Sequence, residues 1–421
     1  MTWNWNPFKI FYGWWISGAS FLIALFVGGA VFYGFTAFFE PIANEMGWSY
    51  TQISLAASLR GLEIGLLSPF VGILADRWGP KRLIFGGVLI TAAGLLLLGV
   101  SRSLLVFYGA FALLAVGASA CTVTVLLTAV ANWFREKMGM ASGIAIAGFG
   151  FSGLLIPVIV KLIATYDWRT AVTILALSML VLLLPLSLLF RHRPEQYGYF
   201  PDGEKRDAAH PDESGPQQTA EVELRARQAL KSGVFWRLAL SRLYHMMTVA
   251  AIITHVMPYL SSIGISRAQS SLVATVIPLM SIFGRLGFGW LGDKLGRRQV
   301  ATASFIMIGS GVLCFAYTST SIWFLAPFLV LMGIGYGGSN ALLPSLGREH
   351  FGRANFGSIY GLMEGIGTIG GIIGPAAAGW FYDTWGSYQI IWWLLAVLAS
   401  VAITLVFTIR PAGASQPSPL S

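Results

Sequence analysis

The chain has 421 residues, 56% of them hydrophobic and 11% charged, with a formal net charge of +9 at pH 7. These proportions exclude an ordinary soluble domain, whose charged fraction is about 25%, and a disordered chain, which needs low hydrophobicity to stay unfolded. The positive balance alone would allow a nucleic-acid partner, but the basic residues sit at the ends of apolar runs, so the lipid bilayer is the expected partner and nucleic acid is not.

In chain order, apolar runs of about twenty residues, enough to cross a bilayer as a helix, recur twelve times: 11–39, 52–74, 83–100, 104–133, 138–163, 170–190, 235–260, 270–291, 300–317, 322–346, 356–381 and 388–409. The first is too long for the apolar core of a signal peptide and no small-residue cleavage site follows it, so the mature chain is expected to start near Met1. Residues 191–234 are polar and rich in Pro, Gly and charge, and are expected to link a six-helix half at 1–190 to another at 235–410, with a tail at 411–421. Inside this linker, 219–232 has helical periodicity with Glu221, Glu223, Arg225, Arg227 and Lys231 on one side. That pattern predicts a helix on the membrane surface, or more simply a solvated linker helix with no function of its own.

Lys9, Arg77, Lys81, Arg82, Arg135, Lys137, Arg191, Arg237, Arg242, Lys294, Arg297, Arg298, Arg348, Arg353 and Arg410 are assigned, with the linker cations, to one alternating set of helix ends. Arg102, Lys161, Arg169 and Arg267 hold the other set. The positive-inside rule then places both termini in the cytoplasm, as expected of a multi-pass protein of the plasma membrane. Trp15, Trp168, Trp323 and Trp385 lie near run ends and are expected to anchor at the interfaces. Cys121 and Cys314 stand among small apolar neighbours and read as packing residues, neither a disulfide nor a metal site. No phosphate-binding loop, metal-ligand cluster or nucleophile-base constellation occurs, so no cofactor, metal or enzymatic activity is expected.

Four ionisable groups inside the runs require reasons. Arg60 and Glu63, three apart on the second run, have the spacing of a pair on one helix face. Arg285 lies in the eighth run about two turns before the charged cluster that ends it, where a guanidinium costs a few kcal/mol unless it meets a partner or a polar cavity. Either it belongs to a structural ion pair or it is a seat for an anion, a role suited to its planar, permanently charged fork. Glu364, midway along the glycine-rich eleventh run, has no cation near it in sequence. It is either a neutral structural carboxyl or a carboxylate that takes up and releases a coupling proton.

The chain also repeats itself. Gly72, Asp76, Arg77, Gly79, Lys81 and Arg82 after the second run return as Gly289, Asp293, Lys294, Gly296 and the basic pair Arg297 and Arg298 after the eighth, with identical Gly-to-Asp-to-Gly spacing. Gly143, Gly153 and Pro157 of the fifth run are matched by Gly361, Gly371 and Pro375 of the eleventh. This is the signature of parallel structural repeats. The paired G-x-x-x-D-[RK]-x-G loops in a twelve-run chain resemble the major facilitator superfamily over the whole length. That resemblance implies an all-helical membrane fold of twelve transmembrane helices in two six-helix bundles, one rocking against the other around a central cavity. Asp76, Arg77, Arg82, Asp293 and Arg297 then read as gating or structural residues, with Arg60 and Glu63 as structural ones.

Within that superfamily, Trp133 to Gly148, with Ala141, Gly143, Ala145, Ala147 and Gly148, resembles the fifth-helix signature of monocarboxylate transporters and their bacterial relatives, although Glu136 and Met138 replace basic residues. Its small residues are explained by helix packing alone. Tyr12, Gly13, Trp14 and Trp15 form part of the first-helix signature without its acidic residue, and 193–203 resembles the start of the linker in bacterial relatives. The resemblance implies that Arg285 binds a substrate carboxylate, that His255 is a cavity histidine and a second proton-coupling candidate, and that Tyr336, Asn340, Tyr33 and Thr122 line the site. His255 reads equally as a residue capped by a backbone carbonyl, and its link to Arg285 comes from the resemblance alone. Thr122 stands where relatives have Asn, Tyr33 where mammalian members have a proton-relaying Lys, and Ser281 where they have Asp. The function expected is secondary active transport of a small organic anion, a monocarboxylate first, with a co-transported proton as an option and the protein working as a monomer. The alternatives are an exporter of lipophilic compounds and a dicarboxylate exchanger.

Overall fold

The computed structural model describes residues 11–134, 137–191, 229–351 and 356–409, and all regular structure within them is helical. Of the expected surface helix of the linker at 219–232, residues 219–228 lie outside the described residues. Helix α1 (Tyr12–Val27) continues through a widened turn at Gly28–Tyr33 into α2 (Phe35–Met46). It is followed by α3 (Tyr50–Trp78), α4 (Pro80–Val100), α5 (Leu104–Ser119), α6 (Val123–Ala131), α7 (Met138–Phe151), α8 (Leu155–Thr165) and α9 (Trp168–Leu188). The second half contains α10 (Gly233–Ser262), α11 (Arg267–Leu295), α12 (Arg297–Tyr317), α13 (Leu325–Phe351), α14 (Phe356–Trp385) and α15 (Gln389–Phe407).

Ten stretches of described residues are long and apolar enough to cross a membrane, several of them joining two of these helices. Helices α3 and α14, of 29 and 30 residues, stand in the second and eleventh places, so ten and two make the twelve crossings of the expected fold. Most helices overrun their apolar runs, because hydropathy marks the lipid-facing length and the helix continues to its caps. Ser266 Oγ accepts from the Gln269 amide at the start of α11, and Asp167 accepts from the Thr170 amide at 2.7 Å at the start of α9. Backbone hydrogen bonds to the exposed Asp167 hold its carboxyl below the ordinary carboxylate range.

The chain divides into two compact units, Met1–Phe38 with Leu66–Glu213, and Phe39–Gly65 with Ser214–Ser421. In the first unit α1 packs on α7, and α4 on both α5 and α9. In the second, α10 packs on α14, and α12 on both α13 and α15. The helices of the first, third, fourth, fifth and sixth runs thus find the same neighbours as those of the seventh, ninth, tenth, eleventh and twelfth. Glycines permit the closest of these approaches. A Cβ on Gly148 of α7 would collide with the Phe21 carbonyl of α1, and Cβ atoms on Gly370 and Gly374 of α14 would collide with the Leu243 and Met247 carbonyls of α10. Gly143, Gly361 and Gly371, the positions matched by the sequence repeat, face open space, so the contact falls on their neighbours.

The two repeated loops are also alike in backbone. Gly79 joins α3 to α4 at φ 79°, and Gly296 joins α11 to α12 at φ 94°, each a single residue between helices in a region L side chains disfavour. The signature residues of the first and fifth runs meet within the first unit. Tyr12 packs on Trp133 at 5.2 Å and Trp14 on Phe134 at 4.8 Å, while the Tyr12 hydroxyl donates to the Leu189 carbonyl at the end of α9. Of the expected interfacial tryptophans, Trp15, Trp323 and Trp385 are exposed. Trp168 is buried instead, with the Arg169 guanidinium 4.3 Å from its ring as that guanidinium caps the Gly99 and Ser101 carbonyls at the end of α4.

Candidate functional site

The second unit brings together ionisable groups from four helices. On α10, Arg242 is 6% exposed. Its Nη2 donates to Glu364 Oε2 of α14 at 2.9 Å and its Nη1 to Asn340 Oδ1 of α13 at 2.8 Å. Gly367 makes room for it, since a Cβ there would lie 2.7 Å from Arg242 Cγ. Tyr360, one turn before Glu364 on α14, adjoins the same carboxylate. Arg242 is therefore not one of the helix-end cations among which its sequence pattern placed it, but a buried residue whose charge is neutralised across three helices. The signal was present in the sequence, because Arg242 falls well inside the apolar run at 235–260. Removing one member of such a pair leaves an uncompensated buried charge and costs about 3–5 kcal/mol.

Three residues after Arg242, one turn along α10, His245 is fully buried. Its Nδ1 is 2.7 Å from Ser339 Oγ and its ring stacks on Tyr336 at 5.8 Å, while its Nε2 has no hydrogen-bond partner. Sequence reasoning passed over His245 in favour of His255. Tyr336 also meets Arg285 of α11, whose guanidinium carbon lies 6.0 Å from the ring centroid, the outer limit of a cation–π contact. Close approach of α11 and α13 produces this arrangement: a Cβ on Gly284 would strike the Ile334 carbonyl, and one on Gly337 the Ser281 carbonyl. Arg285 is partly buried, and its buried Nε has no partner. Among the described residues its guanidinium makes neither an ion pair nor a hydrogen bond. An uncommitted guanidinium beside the Tyr336 ring can take a carboxylate bidentately.

The structure does not join His255 to this cluster. Its Nε2 is 3.0 Å from both the Pro375 carbonyl and Ser54 Oγ, its Nδ1 is 2.9 Å from the Tyr388 hydroxyl, and its ring packs on Phe39 at 4.9 Å. A carbonyl only accepts, so Nε2 carries the proton and Nδ1 accepts from Tyr388 in the neutral ring. Around it, Asp383 accepts from the Tyr50 and Thr51 amides and Ser58 donates to the Ile372 carbonyl, which ties the start of α3 to α14. Asn340 stands in the cluster, but its carbonyl oxygen is engaged by Arg242. Tyr33 and Thr122 belong to the other unit, Tyr33 buried at the end of the widened turn and Thr122 preceding α6 with its hydroxyl on the Ser119 carbonyl.

At the second loop Arg297 lies 3.4 Å from Asp293 and 3.8 Å from Glu349, all near the surface. Arg77 and Arg82 are exposed at the first loop. Arg60, Glu63 and Asp76 lie on α3, and their side chains lie outside the described residues. Cys121 and Cys314 are free thiols, and no group of three metal-ligating side chains occurs among the described residues.

The sequence profile of the Major Facilitator Superfamily matches residues 21–264 and 246–421. Monocarboxylate transporter 12 of Rattus norvegicus is 25% identical over 395 residues, spanning 90% of this chain and 81% of that protein. The MFS-type transporter YhjX of Escherichia coli (strain K12) is 24% identical over 84% of this chain and 86% of its own length. The oxalate:formate antiporter of Oxalobacter formigenes is 24% identical over 83% of this chain and 82% of its own. A crystal structure of a bacterial homolog of the human lysosomal transporter Spinster, inward-facing and unoccupied, superposes with a TM-score of 0.72 over 95% of this chain and 97% of that one; at 14% identity the likeness shows the fold.

Proposed function

We propose that this chain, which belongs to the Major Facilitator Superfamily and is thus a multi-pass membrane transporter, moves a small organic anion, with monocarboxylates as the substrate class, by alternating access of its two six-helix halves. Arg285 is the seat of the carboxylate, with Tyr336 beside it. The observation that carries this reading is the uncommitted guanidinium of Arg285 deep in a span, where a charge without a partner persists only for a reason. The names of relatives, monocarboxylate transporter 12 and oxalate:formate antiporter, support an organic anion and leave both symport with a proton and exchange as modes to be separated by experiment. The basic residues at alternating helix ends support cytoplasmic termini in a bacterial inner membrane.

Uptake of labelled mono- and dicarboxylates into proteoliposomes, with and without an imposed pH gradient, tests the reading. Arg285→Lys keeps the charge and loses the fork, and Arg285→Gln loses both. Binding is expected to weaken stepwise by about 1–3 kcal/mol, as for a charged hydrogen bond. Unchanged affinity in Arg285→Gln would sink the carboxylate reading and favour an exporter of lipophilic compounds.

A further inference from the structure

We propose that Glu364 determines the ionic class of the substrate: by holding Arg242 it keeps the site at one net positive charge, so that monoanions are accepted in preference to dianions. The inference rests on Arg285 being the anion's seat. It starts from one stretch of α13, on which Tyr336, Ser339 and Asn340 touch in turn Arg285, His245 and Arg242. His245 lies within electrostatic reach of both guanidiniums, and Tyr336 is in contact with both its ring and Arg285. The two arginines thus belong to one cluster, and a ligand seated on Arg285 experiences the charge on both.

Three buried nitrogens in this cluster have no partner: Nε of Arg285, Nε of Arg242 and Nε2 of His245. A closed structural network would spend such groups, because leaving them dry and unpaired is costly. Their presence points to a polar ligand. The charges are two guanidiniums and one carboxylate, and a neutral imidazole above its ordinary pKa of about 6.5. Two positive and one negative leave one positive. A monoanion brings this sum to zero. A dianion leaves one negative charge uncompensated in a poorly solvated site, and discrimination against it follows from that penalty rather than from any clash. Glu364 need not touch the substrate to have this effect; it is a specificity-determining residue acting through Arg242.

The test compares size-matched acids at about pH 7.5, where carboxyls are ionised: propionate against malonate, and butyrate against succinate. The readout is ligand-induced thermal stabilisation of the purified full chain, which reports only on folded protein. In Glu364→Gln the site carries two positive charges, and the ratio of dianion to monoanion affinity is expected to rise by tenfold or more, on the order of one buried charge contact. The double variant Arg242→Gln/Glu364→Gln returns the sum to one positive charge and is expected to return the ratio to that of the native chain. It also relieves the unpaired Arg242, so it serves if the single variant folds poorly. A ratio unchanged in Glu364→Gln, or one shifted but not restored in the double variant, overturns the proposal while Arg285 keeps its role. If no acid stabilises the native chain, or Arg285→Gln binds as well as native, the carboxylate reading fails first and this inference with it.

Discussion

Two titratable residues inside the spans, Glu364 and His255, are candidates for carrying a proton, and their surroundings differ. The Glu364 side chain is 30% exposed and its Oε2 accepts from Arg242 at 2.9 Å, so a proton on this carboxylate would loosen a specific contact. His255 is fully buried with both ring nitrogens engaged, on Tyr388 and on Pro375 with Ser54. If transport is proton-driven, Glu364→Gln is expected to keep exchange of internal for external substrate and to lose accumulation driven by a pH gradient, while His255→Gln keeps both. Counterflow and gradient-driven uptake in the same proteoliposomes separate the two. Accumulation that survives in Glu364→Gln and disappears in His255→Gln would move the coupling role to His255. Both candidates were named from sequence, Glu364 for its depth and His255 from the resemblance, but the contact of Glu364 with Arg242 was not, because Glu364 has no cation near it in sequence and Arg242 was grouped with the helix-end cations.

At the scale of the helices, glycine performs two different tasks. Along α14, Gly367, Gly370 and Gly374 remove side chains where α10 presses in, and the first of them accommodates the stem of Arg242. At the loops, Gly79 and Gly296 supply a positive φ that lets one helix end and the next begin without a longer connection. Gly296→Ala is expected to lower stability by about 1–2 kcal/mol, because nothing crowds the site beyond a contact at 3.7 Å and the cost is that of the backbone conformation. A thermal unfolding midpoint equal to that of the native chain would show that the loop relaxes into another turn. The Gly-to-Asp-to-Gly spacing made both turns legible in advance. The repeat did not single out the glycines that make the helix contacts, since Gly361 and Gly371 line up in it while Gly370 and Gly374 face the partner helix.

For the whole molecule, the recurrence of neighbours in the two units, α1 on α7 as α10 on α14 and α4 on α5 and α9 as α12 on α13 and α15, gives the repeat a physical content. A transporter that alternates between two states must hold each with contacts made in that state alone. The repeated acidic residue of the loops is a candidate for such a contact. Its second copy, Asp293, pairs with Arg297 at 3.4 Å in a position exposed enough for the pair to contribute little to folding. Asp76→Asn is accordingly expected to slow turnover several-fold while changing substrate affinity by less than about 0.5 kcal/mol, the ordinary range for a surface change. Weakened equilibrium binding at normal turnover would contradict this. Crosslinking of cysteine pairs introduced near the two repeated loops reads the population shift directly.

Composition and hydropathy by themselves determined the number and order of the membrane helices, the two-fold repetition and the depth of Arg285, because each of these is a property of consecutive residues: a length of apolar side chains, a spacing, a charge where water is absent. What only the tertiary structure decided is which charges meet. Arg242 and Glu364 are 122 residues apart, and His255 and Tyr388 are 133 apart, so their pairing depends on how helices cross and on which glycines let them approach. The same holds for the stretch 39–65, which belongs to the first half by sequence and groups with the second unit through Asp383, Ser54 and Ser58. A hydropathy pattern carries no record of such contacts, since the energy of a buried ion pair lies in the partner's position rather than in the run of residues around it.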